Sequence, residues 1–334
     1  MRGCLVGCGF FGQIHLEAWR RIEDVTIVGT CDADPTRATY EHLDRMLDEL
    51  QPDFLDIATR PELHLDMVRA AVERRIPVLC QKPLAPTWPD ALAIVELAEA
   101  ARVPLVVHEN WRWQPWYRVV HAELAKGLIG PPVAYTFRVR KLDGDGPDAY
   151  PAQPYFRAYP RLLLYETLVH HLDTARFLFG EIEEVYARSR RVNPLIAGED
   201  QVLLLTHHAN GLNGLLDGHR FLDLRPDSPP LGDFTVDGIG ASLQVDASGD
   251  VWLWNGRERK SIWQNTVGQG YRGDSVRAVC RHFIDQLRGP RQWESTGRDY
   301  LRTVACVEAG YRSIASGRAE STRTFSELPA TGPT

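Results

Sequence analysis

The residues best suited to chemistry lie in a few short stretches. "VGCGFFGQIH" carries Gly7, Gly9 and Gly12 in the spacing G-x-G-x-x-G, directly after an apolar run and at the start of a helix-length segment. In this pattern the first glycine allows a tight turn, the second lets the main chain approach a pyrophosphate, and the third permits close contact of helix and strand. The helix N-terminus then offers N–H groups to the anion. The next apolar run ends in Asp32, 20 residues beyond Gly12. A carboxylate there can accept hydrogen bonds from a ribose diol; the alternative is a solvated turn residue in "CDADPT". An acid at this point repels a 2′-phosphate and favours NAD over NADP, although Arg37 is close enough in sequence to leave NADP open.

"VLCQKPLA" ends an apolar run with Lys82, and Pro83 stops the run from continuing in normal ladder pairing. Such a lysine is either a surface turn or a cation held at the C-terminal rim of a sheet, where open α/β sheets place their ligands. In "YETLVHHLDTARFLFG", Glu166, His170 and Asp173 are separated by four and three residues and share one face of a helix. They form either an ordinary surface pair or an imidazole with an orienting acid. His171 points away from that face, packed or solvated. "HENWRWQPWY" offers Trp111, Trp113, Trp116 and Tyr117 as flat surfaces for a sugar and Asn110 and Arg112 as donors. At least half of these tryptophans should instead pack a core. Tyr155 and Tyr165 add further aromatic polar groups. His207 and His208, adjacent on a strand, face opposite sides, and no metal-ligand set is expected.

The elements that position these residues follow from periodicity. Up to about residue 120, the apolar runs "CLVG", "VTIVGTCD", "FLDIAT", "IPVLCQ" and "VPLVVHEN" alternate with amphipathic segments at 12–22, 61–75 and 89–101. This is the pattern of β-α-β units on a parallel sheet. Beyond it, longer runs joined by turn signals favour antiparallel hairpins, with helices at about 165–179, 274–288 and 297–316. Residues 141–160 read as a loop suited to covering a site. The division is therefore 1–120, a dinucleotide-binding domain, and 121–334, a second α/β domain.

Composition narrows the class. A chain of 334 residues is expected to form two cores. A net charge of −6 with dispersed basic residues argues against a nucleic-acid partner. The N-terminus does not read as a signal peptide, and no 18-residue apolar stretch suggests a membrane partner. Six cysteines without paired spacing suit a reduced, cytoplasmic compartment.

Taken in order, "GCGFFGQIH", "IATRPELH", "VLCQKPLA", "HENWRWQPWY" and "YETLVHHLDTARFLFG", with the closing segment "HFIDQLRG" to "AGYRSIASGR", resemble the glucose-fructose oxidoreductase/inositol dehydrogenase (Gfo/Idh/MocA) family over nearly the whole chain. The resemblance implies an N-terminal Rossmann domain and a C-terminal α/β domain on a large, mostly antiparallel sheet that mediates homodimer or homotetramer contacts. It implies NAD(P)-dependent hydride transfer with a sugar, sugar derivative or cyclitol. Alternatives on the same fold are an NAD-retaining enzyme that cleaves or epimerises glycosides, and a non-catalytic sugar-responsive regulator.

By the same resemblance, Gly7, Gly9, Phe11, Gly12, Asp32, Thr59, His64, Gln81 and Lys82 would bind the cofactor, with Lys82 at the nicotinamide end. His64 on residue type alone would be a solvent-facing histidine at a helix start. His170 is the candidate general base, Glu166 its orienting acid, and Lys82 the stabiliser of the developing alkoxide, or itself the proton acceptor. Asn110, Arg112, Trp113, Tyr155, Tyr165 and Asp173 would meet the substrate. Arg138, Arg140, Arg157 and Arg161 suggest room for an anionic substituent.

Three departures from the family pattern stand out. Gln81 occupies the place of a glutamate before the lysine, "RLLL" replaces glycines before the helix that carries Glu166, and only about twenty residues separate Asp32 from "FLDIAT". The last leaves room for one helix and a two-residue strand at "TY", a trimmed sheet edge.

Overall fold

The computed structural model describes residues 1–289 and 291–325. Contacts divide the chain into two units, Met1–Pro115 with Val267–Tyr300, and Trp116–Thr266 with Leu301 onward. The change of pattern near residue 120 falls close to the first boundary, but 267–300 joins the first unit. The reason is the apolar stripe of α7 (Ser275–Arg288), whose Val276, Val279, Cys280, Phe283 and Ile284 are buried in that unit's core. Burying side chains of this size stabilises by about 1.5–3 kcal/mol each, enough in sum to fix the helix there.

In the first unit, β1 (Arg2–Val6), β2 (Thr26–Cys31), β3 (Phe54–Ile57), β4 (Val78–Gln81) and β5 (Leu105–His108) form a parallel sheet in the order β2-β1-β3-β4-β5. Every residue of β3, β4 and β5 is buried, which is why those runs are nearly continuously apolar rather than alternating. Helices α1 (Phe10–Arg20), α2 (Leu43–Leu50), α3 (His64–Glu73) and α4 (Trp88–Ala100) follow the strands. Thr87 caps α4 by accepting the Asp90 N–H. The trimmed edge is present. Between Asp32 and β3 there is α2 and a single bridge, Cys31 to Tyr40, so the sheet ends at β2.

The second unit is built on nine strands: β6 (Pro132–Arg140), β7 (Ile182–Arg190), β8 (Gln201–His208), β9 (Asn213–His219), β10 (Gly232–Gly238), β11 (Ser242–Val245), β12 (Val251–Trp254), β13 (Arg259–Trp263) and β14 (Glu320–Ser321). Their order is β13-β12-β11-β10-β6-β9-β8-β7-β14. All neighbours are antiparallel except β6 and β9, whose pairing is parallel because the chain between them runs through a helix and a hairpin. Val202, Leu204, Thr206 and His208 of β8 are buried, while Leu203, Leu205 and His207 are exposed. The two histidines thus lie on opposite faces, as adjacent strand residues must.

Two helices cover the inner face, α6 (Val169–Phe179) and α8 (Gly297–Ser316), the first turn of α8 being counted with the first unit. The Ser313 hydroxyl of α8 accepts the Ala187 N–H of β7 at 2.8 Å. Another helix, α5 (Pro115–Ala125), runs through the aromatic motif, where bulky side chains hide its period from a sequence reading.

Candidate active site

The glycine turn has the geometry its spacing predicts. Gly7 has φ +93°, and a Cβ there would lie 2.7 Å from the main chain of Ala58 and Thr59. A Cβ on Gly12 would lie 1.8 Å from the Gly7 carbonyl oxygen, so helix and turn touch through their main chains. At Gly9 nothing lies within 4 Å of such an atom. Open space at the second glycine, beside the N-terminus of α1, fits the approach of a dinucleotide pyrophosphate. Asp32, at the end of β2, accepts the Cys8 N–H at 2.7 Å and the Asp34 N–H at 2.9 Å. Its carboxylate is therefore held against the glycine turn rather than left as a loose turn residue. Arg37 pairs with Asp34 at 2.9 Å. The half-buried Phe11 sits edge-on to Tyr271 and His15.

Thr59 is half-buried after β3, with its hydroxyl 3.3 Å from the Met67 sulfur. His64 is completely buried rather than facing solvent. Its ring nitrogens lie 2.9 Å from the Leu84 carbonyl oxygen and 3.2 Å from that of Thr59, and burial pushes its pKa down. It ties the turn after β3 to the segment following Lys82.

Lys82 is half-buried immediately beyond β4, and its peptide bond to Pro83 is cis. Behind it runs a buried polar chain. The Gln81 Oε1 accepts the Lys82 N–H at 2.8 Å, and the Gln81 Nε2 lies 2.8 Å from the His15 Nε2. The His15 Nδ1 lies 2.8 Å from the Asp56 carboxylate, which also accepts the Trp19 indole N–H at 2.7 Å. With the glutamine amide donating, His15 accepts at Nε2 and donates from Nδ1 to Asp56. Gln81 thus fixes the main chain at Lys82 without supplying charge.

The motif after β5 turns largely inward. Asn110 is buried and donates to the Ser275 hydroxyl at 2.7 Å, and Arg112 lies 3.5 Å from Asp299. Trp111, Trp116 and Tyr117 are buried, while Trp113 is half-buried against His282 at 4.7 Å between ring centroids. Most of the aromatic surface foreseen for a sugar is therefore core.

In the second unit, a π-helical turn, Leu163–Leu168, leads into α6. Such turns are rare and often mark functional sites. Glu166 lies in this turn and His170 in the first turn of α6, both buried. Because a π-turn takes more residues than an α-turn, the four-residue spacing does not translate into α-helical stacking unchanged. The start of the turn is capped by Glu199, whose carboxylate accepts the N–H groups of Leu162 and Leu164 and the Tyr311 hydroxyl.

Asp173 is completely buried and accepts the Thr303 hydroxyl at 2.9 Å, which ties α6 to α8. His171 packs edge-on against Phe137. Tyr155 joins a small cluster with Phe156 and Tyr159, and the guanidinium of Arg161 lies 5.5 Å from the Tyr165 ring. Residues 141–160 are anchored: Asn193 donates to the Gly144 and Gly146 carbonyls, and Arg220 pairs with Asp143. Arg138, Arg140 and Arg161 pair with Asp233, Asp217 and Glu308, and Arg157 donates to the Ala149 carbonyl. They are spread over separate contacts rather than gathered about an anion.

Four residues escaped the sequence reading: His15, Asp56, Glu109 and Glu199. Asp56 carried a signal, a charged residue inside an otherwise apolar run, and so did Glu109, an acid directly after the run "VPLVVH".

The parallel sheet, glycine turn and placed acid define a dinucleotide-binding fold. Residues 1–109 match the family described as "Oxidoreductase family, NAD-binding Rossmann fold", and residues 117–233 match the "GFO/IDH/MocA C-terminal domain". The chain is 33% identical to the D-apiose dehydrogenase of Rhizobium rhizogenes, over 95% of this chain and 96% of that one. It is 35% identical to the D-apiose dehydrogenase of Paraburkholderia graminis, over 98% and 92%. An oxidoreductase from Agrobacterium radiobacter, solved in complex with NAD+, L-tartaric acid and magnesium, superposes with a TM-score of 0.89 at 31% identity, covering 97% of this chain and 99% of that one. The chain belongs to the Gfo/Idh/MocA family and is an NAD-binding oxidoreductase. Rossmann sheet and large, mostly antiparallel sheet are both as the resemblance implied.

Proposed function

We propose that this chain oxidises a carbinol of a small sugar, D-apiose or one of similar size, with NAD, or carries out the reverse reduction. The observation that carries this reading is similarity at about one third identity, over nearly the whole chain, to two D-apiose dehydrogenases. L-Tartaric acid in the similar structure supports a small hydroxylated ligand. NAD, when bound, supplies the hydride acceptor. The chain would hold it with Gly7, Gly9, Phe11, Gly12 and Asp32, and with the loops shaped by Thr59, His64 and Gln81. Lys82 donates a hydrogen bond to the reacting oxygen and stabilises its developing negative charge. His170 takes the hydroxyl proton, and Glu166 orients the imidazole. Asp173 positions α6. Asn110, Arg112, Trp113, Tyr155 and Tyr165 would meet the substrate.

The test is a panel of sugars, sugar acids and cyclitols that includes D-apiose, assayed with NAD and NADP at the reduced-nicotinamide absorbance band. NADH formation with D-apiose or another small sugar is expected, with NAD preferred because Asp32 repels a 2′-phosphate. Sugar conversion without net NADH would instead support the NAD-retaining alternative, and neither signal across the panel would sink the reading.

We further propose a cytoplasmic homodimer or homotetramer formed through the outer face of the large sheet. Leu203 and Leu205 on that face are 42% and 49% exposed, and all six cysteines are free buried thiols, as suits a reduced compartment. Among the described residues no helix is long and apolar enough to cross a membrane. Sedimentation of the protein from the soluble cell fraction should give a dimer or tetramer, and a Leu203→Glu/Leu205→Glu variant should dissociate. A monomeric wild type would refute this assembly.

A further inference from the structure

The family pattern places a carboxylate directly before the lysine at position 82, and this chain has glutamine there. Gln81 is committed elsewhere, its amide bridging the His15 ring and the Lys82 main-chain N–H. Strand register supplies a carboxylate from the neighbouring strand. Gln81 of β4 pairs with His108 of β5, so the next residues, Lys82 and Glu109, leave their strands side by side at the same edge of the sheet. Glu109 is completely buried, and its Oε1 accepts the Trp111 N–H at 3.1 Å. The charges that act on it are those of Lys82 and Arg112. Arg112 also faces Asp299. The other titratable groups packed about these strand ends are His15 of α1, hydrogen-bonded to Asp56 of β3, His108 of β5, and Arg272, which stands over the Trp111 ring.

We propose that Glu109 is the counter-carboxylate of Lys82: when ionised, it holds the Lys82 side chain as an ammonium and directs it at the rim of the sheet. Glu109 is then a positioning residue, acting on the reaction through Lys82, and the inference rests on Lys82 being the group that meets the reacting oxygen. Burial pushes the Glu109 pKa up to about 7, against the opposing pull of Lys82 and Arg112. A carboxyl group is neutral below its pKa, so the counter-charge is lost as pH falls through about 7. Turnover should fall on that acid side.

Competitive acetylation of Lys82 by acetic anhydride, followed by mass spectrometry over a pH series on the full chain, reads the lysine directly and needs no sugar. In Glu109→Gln the Lys82 labelling curve should move to lower pH, the direction in which removing an adjacent opposite charge takes an ammonium. Adding Gln81→Glu to that variant should move it back up, and Glu109→Asp should lie between. The part of the acid limb that Glu109 sets should be lost in Glu109→Gln, leaving the limb of the general base His170, while NAD affinity stays within a few fold. Glu109→Met, apolar and of similar length, serves if the glutamine variant does not fold. An unchanged midpoint in a folded, NAD-binding variant overturns the proposal. A shifted midpoint in a protein that converts none of the sugars would keep the pair and remove only the sugar reading.

Discussion

Turnover by Lys82→Met is expected to fall about a hundred- to thousandfold, the usual loss when one donor to a developing oxyanion is removed. Methionine preserves length and packing at this half-buried position while removing the charge and the donors. The main chain there should hold, because it is fixed by the Gln81 Oε1 through the Lys82 N–H, which the substitution leaves in place. NAD affinity should therefore stay within a few fold, and the loss should appear in kcat. His170→Ala should cost about a hundred- to ten-thousandfold, the range for losing a general base. If both variants turn over at near the wild-type rate, neither residue does the chemistry and the catalytic assignment fails.

The second large effect separates two glycines of one turn. Gly12→Ala forces a Cβ to within 1.8 Å of the Gly7 carbonyl oxygen, an overlap with main chain that no rotamer change relieves. It should lower stability by about 1–3 kcal/mol, as overpacking usually does, and NAD affinity with it, because the displaced turn is the one meant to meet the pyrophosphate. Gly9→Ala meets nothing within 4 Å, and the φ of Gly9 is negative, at −70°, so the substitution meets no left-handed strain. Its melting temperature should fall by less than that of Gly12→Ala, the cost being that of alanine at the N-cap of α1, while NAD affinity falls at least as far as in Gly12→Ala. Thermal melting and NAD titration by intrinsic fluorescence distinguish the cases. Wild-type NAD affinity in Gly9→Ala would mean that the open space beside α1 is not where the pyrophosphate lies.

Much of the nucleotide half was legible in the residues because its signals are local. Gly7, Gly9, Gly12 and Asp32 act through main-chain conformation and through their distance along the chain, and both are written in the sequence. The strands and most helices were legible for the same reason: strands buried on both faces read as continuous apolar runs, and half-buried strands and helices repeat with periods of about two and 3.6 residues. Tryptophan placement was not. Trp111 and Trp116 are core and Trp113 is half-buried, although all three are equally suited by type to meet a sugar.

By itself, then, the sequence determined the parallel-sheet architecture, the glycine turn with its acid, the trimmed edge after Asp32 and the identities of the candidate groups at 82, 166 and 170. Tertiary structure alone decided which neighbours those groups have. It joined β6 to β9 in parallel, returned α7 to the first core, and buried His64 between two main-chain oxygens. It also turned Gln81 toward His15 and brought Glu109 beside Lys82. The physical reason is register. Side chains alternate along a strand, so a one-residue slip between β4 and β5 would set a different residue of β5 opposite Gln81, and that register is held by burial of both strands rather than by anything local to "VLCQKPLA".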